Sequence, residues 1–134
     1  MIQLLVKLII PGKAVGKQRP RVVKGRTFTP EKPLGYEDRI AGIARQQKVR
    51  MTEAAVIVVI TVERKMPKSW SKKLREKLDG TFHAAVPDLD NVAKCVLDGL
   101  NNIAWKDDKQ VVHLTIERRN STEDRTIIHI SEVE

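Results

Sequence analysis

The chain has 134 residues, 41% of them hydrophobic, a net charge of +8 and a single cysteine. That is enough apolar material for one domain around one modest core. No run of eighteen apolar residues exists to make a membrane-spanning helix, and lone Cys95 excludes an internal disulfide framework. The opening Met1-Ile2-Gln3-Leu4 lacks the layout of a signal peptide, so a cytoplasmic protein is expected.

Ile2 to Ile10 reads as an apolar strand ended by Pro11-Gly12. Val15 to Phe28 reads as an extended basic ribbon turning at Lys24-Gly25. Thr29-Pro30-Glu31 signals a helix start, with Pro33 competing for that role. Tyr36, Ile40, Ile43, Ala44 and Gln47 then follow helical spacing. The β-branched run Ala54 to Val62 predicts a central strand covered on both faces. Ser69 or Ser71 can cap a short basic helix reaching about Leu78 and closed by Asp79-Gly80. Phe82 to Val86 is a short extended piece that Pro87 ends, and a helix follows from Asp90 to Asn101. Val111 to Glu117 alternates cleanly, and a turn at Asn120–Asp124 leads into a last strand from Arg125 to Val133, giving a terminal hairpin. The expected fold is a single α/β (α+β) domain over 1–134, a mixed sheet with packed helices.

Charge is distributed unevenly. Gly12 to Arg26 holds six basic residues and no acidic one, and Glu63 to Lys77 holds seven basic against two acidic. Asp88 to Asp108 reverses the sign, with five aspartates against Lys94 and Lys106. A basic surface attracts polyanions through counterion release, so an aspartate cluster inside such a chain calls for a reason of its own. Metal binding supplies one.

Within that segment Val92, Ala93, Val96, Leu97 and Leu100 share one side of a helix, while Asp90, Lys94 and Asp98 line another. Asp88 and Asp90 stand at the helix entrance, where the dipole keeps acids ionised. Asp107 and Asp108 come just before the Val111 strand. Carboxylates converging without cysteine or clustered histidine suit a hard cation, Mg²⁺ or Mn²⁺. Such an ion polarises a phosphodiester and generates hydroxide, and Lys94 would offset charge on the transition-state phosphate. Taken singly, each residue also has an ordinary reading: Asp90 as a helix cap, Asp90–Lys94–Asp98 as surface ion pairs, Asp107-Asp108 as a polar turn. Composition and spacing leave both accounts open.

The motif PDLDN-x-x-K-x-x-x-D-G-L at Pro87 to Leu100, followed by W-x-DD-x-Q-V-V at Trp105 to Val112, resembles the RusA family of Holliday junction resolvases. GKQRPR at Gly16 to Arg21 and TPEK-x-x-x-YE at Thr29 to Glu37 are similar to the family's N-terminal half. The resemblance implies a mixed α/β homodimer that nicks two strands of a four-way DNA junction symmetrically, using Mg²⁺ (Mn²⁺ can substitute). Carried over by position, it implies Asp88, Asp90 and Asp107 as metal-binding acids, Lys94 as the catalytic lysine, and Asp108 and Asn91 as supporting residues.

Lys17, Arg19 and Arg21 alternate along an extended stretch and are read as a phosphate-gripping face, with a solvated basic loop as the plainer account. Lys72 and Lys73 belong to the more diffuse basic run Lys65 to Lys77, where DNA contact and solvation are both open. Trp105 is expected to pack and fix the Asp107 turn, Cys95 to pack in the helix face, and His83, His113 and His129 to be structural or exposed. The competing functional class is a non-catalytic nucleic-acid-binding module on the same fold. A restriction-endonuclease type of site is disfavoured, because the lysine lies four residues after Asp90 on a helix rather than on a strand.

Overall fold

The computed structural model describes the backbone of residues 1–17, 21–23, 26–28 and 31–134, and the side chains of 1–17 and 35–134. In chain order the elements are β1 (Ile2–Pro11), β2 (Arg21–Val23), β3 (Arg26–Phe28), α1 (Glu31–Gln46), β4 (Ala55–Lys65), α2 (Lys72–Leu78), α3 (Leu89–Leu100), a 3₁₀ turn (Asp108–Gln110), β5 (Val111–Ser121) and β6 (Arg125–Val133). β2 and β3 form the expected antiparallel ribbon. No helix among the described residues is long and apolar enough to cross a membrane.

The main sheet has the order β1-β6-β4-β5, with β4 parallel to β5 and antiparallel to β6. This is the mixed sheet with packed helices expected of an α+β domain. The terminal hairpin is not formed: β5 and β6 are consecutive in sequence, yet β4 lies between them. Their link, Thr122 to Asp124, steps over the end of β4 rather than turning back on β5. Met66 N donates to Ser121 O at 3.0 Å, and Lys65 N donates to the Asp124 carboxylate at 2.9 Å. Two strand spacings are only about 9–10 Å, so three residues can make that step. The strand with the longest apolar run thereby takes neighbours on both edges.

β4 alternates buried and half-buried residues instead of being covered on both faces. Val56, Val58, Ile60 and Val62 point into the core with Leu8, Ile10, Ile128 and Ile130, where α1 and α3 pack. In register on the other face stand Ile9, Ile127 and Thr61 in one row and Lys7, His129 and Val59 in the next. That face is only partly covered, and Ile9 remains 41% exposed. Both helices therefore serve one side of the sheet.

The two helices meet closely. A Cβ on Gly99 of α3 would stand 3.1 Å from the Glu37 carbonyl oxygen and 3.2 Å from Ile40 Cβ on α1. Tyr36 on α1 shares a buried 2.7 Å hydrogen bond with Thr126 on β6, fixing the helix to the sheet. Lys17 completes the interface. Its ammonium donates to Glu37 and lies 3.2 Å from Asp98, joining the segment that follows β1 to both helices. Cys95, fully buried at the same interface, points its thiol at Glu37 at 3.9 Å.

Substituting Gly99→Val should force the α1–α3 contact apart and destabilise by about 1–3 kcal/mol, read as a lowered thermal midpoint; an unchanged midpoint would show that the interface can yield. Burial, and then Glu37, push the Cys95 thiol from its ordinary 9.0 up to about 12. The folded state therefore holds this proton more tightly than the unfolded chain. The resulting stability is complete below about pH 9 and fades as pH rises toward 12. Folded protein at pH 8 should resist a maleimide that labels the urea-unfolded chain, and Cys95→Ala should reduce the alkaline loss of stability.

Candidate active site

α3 is an amphipathic helix that buries Val92, Ala93, Cys95, Val96, Gly99 and Leu100. Inserting that face leaves Asp90, Lys94 and Asp98 on the side toward β5. These three line a cleft of about 480 Å³ with Asp108, and its apolar wall includes Leu97, Leu114 and Ile116. Residues from two separated segments thus face one space, with Asp88 and Asp107 outside it.

The ordinary readings of these acids fare differently. Asp90 is not the cap of α3, which begins at Leu89; Asp88 holds that position but makes no side-chain capping hydrogen bond. The expected surface ladder Asp90–Lys94–Asp98 is also absent, because Asp98 pairs with Lys17 instead. Among the described residues Lys94 has no salt-bridge partner, and it is exposed. Asp98 is committed to Lys17, so Asp90 and Asp108 are the cleft carboxylates without a lysine or arginine salt bridge among the described residues.

The turn ahead of β5 fixes the second pair of acids. Trp105 is fully buried, and its indole nitrogen donates to the Asp108 carboxylate at 2.8 Å. Asp107 instead caps the 3₁₀ turn, accepting from Lys109 N at 2.9 Å in a reciprocal box with Gln110. Gln110 accepts from the amides of Lys106 and Asp107 and donates to the carbonyls of Thr52 and Ala54, each at 2.8–2.9 Å. Trp105 therefore anchors the turn as expected, but it holds Asp108 rather than Asp107. Gln110 was not singled out from sequence, although it stands in the W-x-DD-x-Q pattern.

Asp88 lies in a neighbouring hollow with Gly16, Lys17, Pro87 and Asn91. The chain leading to it is held from below by Arg118 on β5. Its guanidinium donates to the carbonyls of Ala85 and Pro87, on either side of the cis Val86–Pro87 peptide. Arg118 is only 8% exposed; burial lowers its pKa and the charge of Asp88 opposes that shift. Nothing in the sequence pattern distinguishes this arginine from its half-buried neighbour Arg119. Gly16 packs against the same corner, where a Cβ would come within 2.9 Å of Pro87 Cβ, and Lys17 N donates to the Asn91 carbonyl at 2.8 Å.

The donor set of the cleft is carboxylate oxygen alone, which suits a hard divalent cation. Among the described residues no three acidic, histidine or cysteine side chains close into a ready ligand cage. Mg²⁺ does not require one: it commonly takes one or two carboxylates and completes its shell with waters and substrate phosphates. Asp90 and Asp108 fit that mode.

Of the DNA-contact candidates, Lys17 is engaged by two carboxylates within the fold. Arg19 lies outside the described residues, as does the Arg21 side chain, although its backbone lies in β2. Lys72 and Lys73 open α2, a helix with no buried residue, capped by Ser71 through its hydroxyl and Leu74 N at 3.1 Å.

The family model for endodeoxyribonuclease RusA matches residues 11–131. A Bacillus subtilis (strain 168) protein described as uncharacterized protein YqaN is 34% identical over 137 residues, covering 96% of this chain and 96% of its own. The matched span runs from the end of β1 into β6 and takes in both the acid-bearing helix and the Trp105 turn. The chain belongs to the RusA family of endodeoxyribonucleases.

Proposed function

We propose that this protein is a Mg²⁺-dependent, structure-selective endodeoxyribonuclease that resolves four-way DNA junctions by paired symmetric nicks in recombination and repair. Its one domain, 1–134, would act in the cytoplasm as a homodimer. The observation that carries this reading is the joining of Asp90, Lys94 and Asp108 in one cleft of a RusA-family chain.

Asp90 and Asp108 are the residues that would hold the cation, with Asp88 and Asp107 as the adjoining acids. The bound cation, Mg²⁺ or Mn²⁺ in its place, supplies Lewis-acid polarisation of the phosphodiester and an activated water. The protein's own part is positional and electrostatic. Lys94 projects from α3 one turn beyond Asp90 and would offset the charge that develops on the phosphate oxygens. Trp105 holds one Asp108 oxygen by its indole hydrogen bond, so that carboxylate is oriented before substrate arrives. Arg118 fixes the approach to Asp88 through two backbone carbonyls rather than by touching substrate.

The dimer is supported by symmetry and by surface. Two matched cuts in a junction with two-fold symmetry ask for two sites related by a two-fold axis, which a C₂ dimer provides. The sheet face carrying Ile9, Ile57, Val59 and Ile127 is turned away from the helices and offers apolar area for a second copy.

A synthetic four-way junction incubated with Mg²⁺ should be cut in opposing strands, while linear duplex and chelator controls stay intact. Asp90→Asn should abolish cutting yet keep or strengthen junction binding, since it removes cation affinity and phosphate repulsion together. Lys94→Ala should slow turnover by about 10²–10³-fold with binding retained. Full cutting by Asp90→Asn would refute the site, and binding without cutting by the unaltered protein would favour a non-catalytic module. Gel filtration at micromolar concentration should give a dimer; a monomer would argue against paired nicking.

A further inference from the structure

Three neighbouring hollows share lining residues. The first, beside α2, includes Lys65, Lys68 and Lys72. The second, of about 730 Å³, shares Lys65, Met66 and Lys68 with it and adds Lys13, Arg64 and His83. The third holds Asp88 and Asn91 and shares Ala14, Val15, Val86 and Pro87 with the second. Together they make a trough from the start of α2 to the entrance of α3.

Lys17 and Arg118 are engaged within the fold, but three other cations along this trough are not consumed by ion pairs. Among the described residues Lys13, Arg64 and Lys68 form no salt bridge; Lys13 and Lys68 are exposed, and Arg64 is oriented by Asn120 at 2.7 Å and by the Trp70 ring at 5.3 Å. Of the acids that line the trough, Glu76 and Asp79 stand at the α2 end and Asp88 at the α3 end, while the two beside these cations are already occupied. Glu63 accepts from Arg125 and Ser121, and Asp124 accepts from Lys65 N. His83, within electrostatic reach of Arg64 and Arg118 and beside the Ala84 backbone, lines the same hollow with both ring nitrogens shielded from solvent.

We infer that this trough is the track for a DNA strand: Lys13, Arg64 and Lys68 grip successive phosphates and deliver the backbone past Pro87 to Asp88. The inference rests on reading the α3 cleft as a DNA-cutting site, but it concerns binding, and the two are separable. Basic side chains spaced along a groove hold a polyanion by releasing its counterions, without regard to sequence. Beyond these cations the trough ends at Asp88. A backbone lying against Lys13, Arg64 and Lys68 is therefore held before it reaches the scissile end, where a cation would neutralise the acids.

The test is fluorescence anisotropy of a labelled four-way junction and a labelled single strand, in chelator so that no cutting intervenes, across a range of salt. Lys13→Ala and Lys68→Ala should each lower the slope of log affinity against log salt by about 0.7–0.9. The double variant should bind at least about tenfold more weakly at low salt, equally for unrelated sequences. Arg45→Ala, which removes one charge from the exposed end of α1, should match the unaltered protein. Lys13→Gln with Lys68→Gln provides a second double variant, and its circular dichroism should match the parent. Double variants that bind with the parent's affinity and slope would overturn the track. Normal cutting of the junction by the unaltered protein alongside that result would leave the nuclease reading intact. Weakened binding by variants of a protein that never cuts would do the reverse.

Discussion

Everything at the site depends on which way α3 is rolled. Its apolar residues must enter the core against the sheet and α1, and Gly99 allows the two helices to approach until backbone oxygen and side chain nearly touch. Once that face is inside, Asp90 and Lys94 have only the space toward β5 left to occupy. A rotation of one residue, about 100°, would bury a carboxylate or carry the lysine away from Asp108. The geometry of the proposed site is thus a by-product of hydrophobic packing, and packing is what makes it rigid.

A second layer of fixings refines what packing sets. Trp105 and Gln110 hold the acidic turn through side chains that also fill or bridge the core, and Arg118 holds the strand-to-helix corner from beneath. Lys17 removes Asp98 from contention by binding it. Of the cleft's three carboxylates, one is therefore spent on structure.

Local pattern made some of this readable and hid the rest. The two faces of α3 followed from spacing alone, because an apolar stripe at helical period has one way to pack. The central position of β4 was legible in its β-branched run, but its second face was not, since half-buried and fully buried strands carry the same residues. Consecutive strands β5 and β6 looked like a hairpin because a short polar link usually makes one; only the competition for the edges of β4 parts them. The preference of Trp105 for Asp108 over Asp107 turns on a single indole hydrogen bond, and the sequestration of Lys17 depends on acids 20 and 81 positions away. Long-range pairings of that kind leave no local trace.

The place of β6 also bears on how the molecule assembles. It is the last strand in sequence yet lies second in the sheet, pairing Ile2 with Val133 on one side and Val56 with Glu132 on the other. Until it is synthesised, β1 has no neighbour and β4 has one bare edge, so the sheet has no continuous middle. Such distant contacts carry a large loop-closure cost before they return anything, and folding should be slow and end-loaded. On the ribosome, the acid-bearing helix would be made long before the surface it packs against is complete.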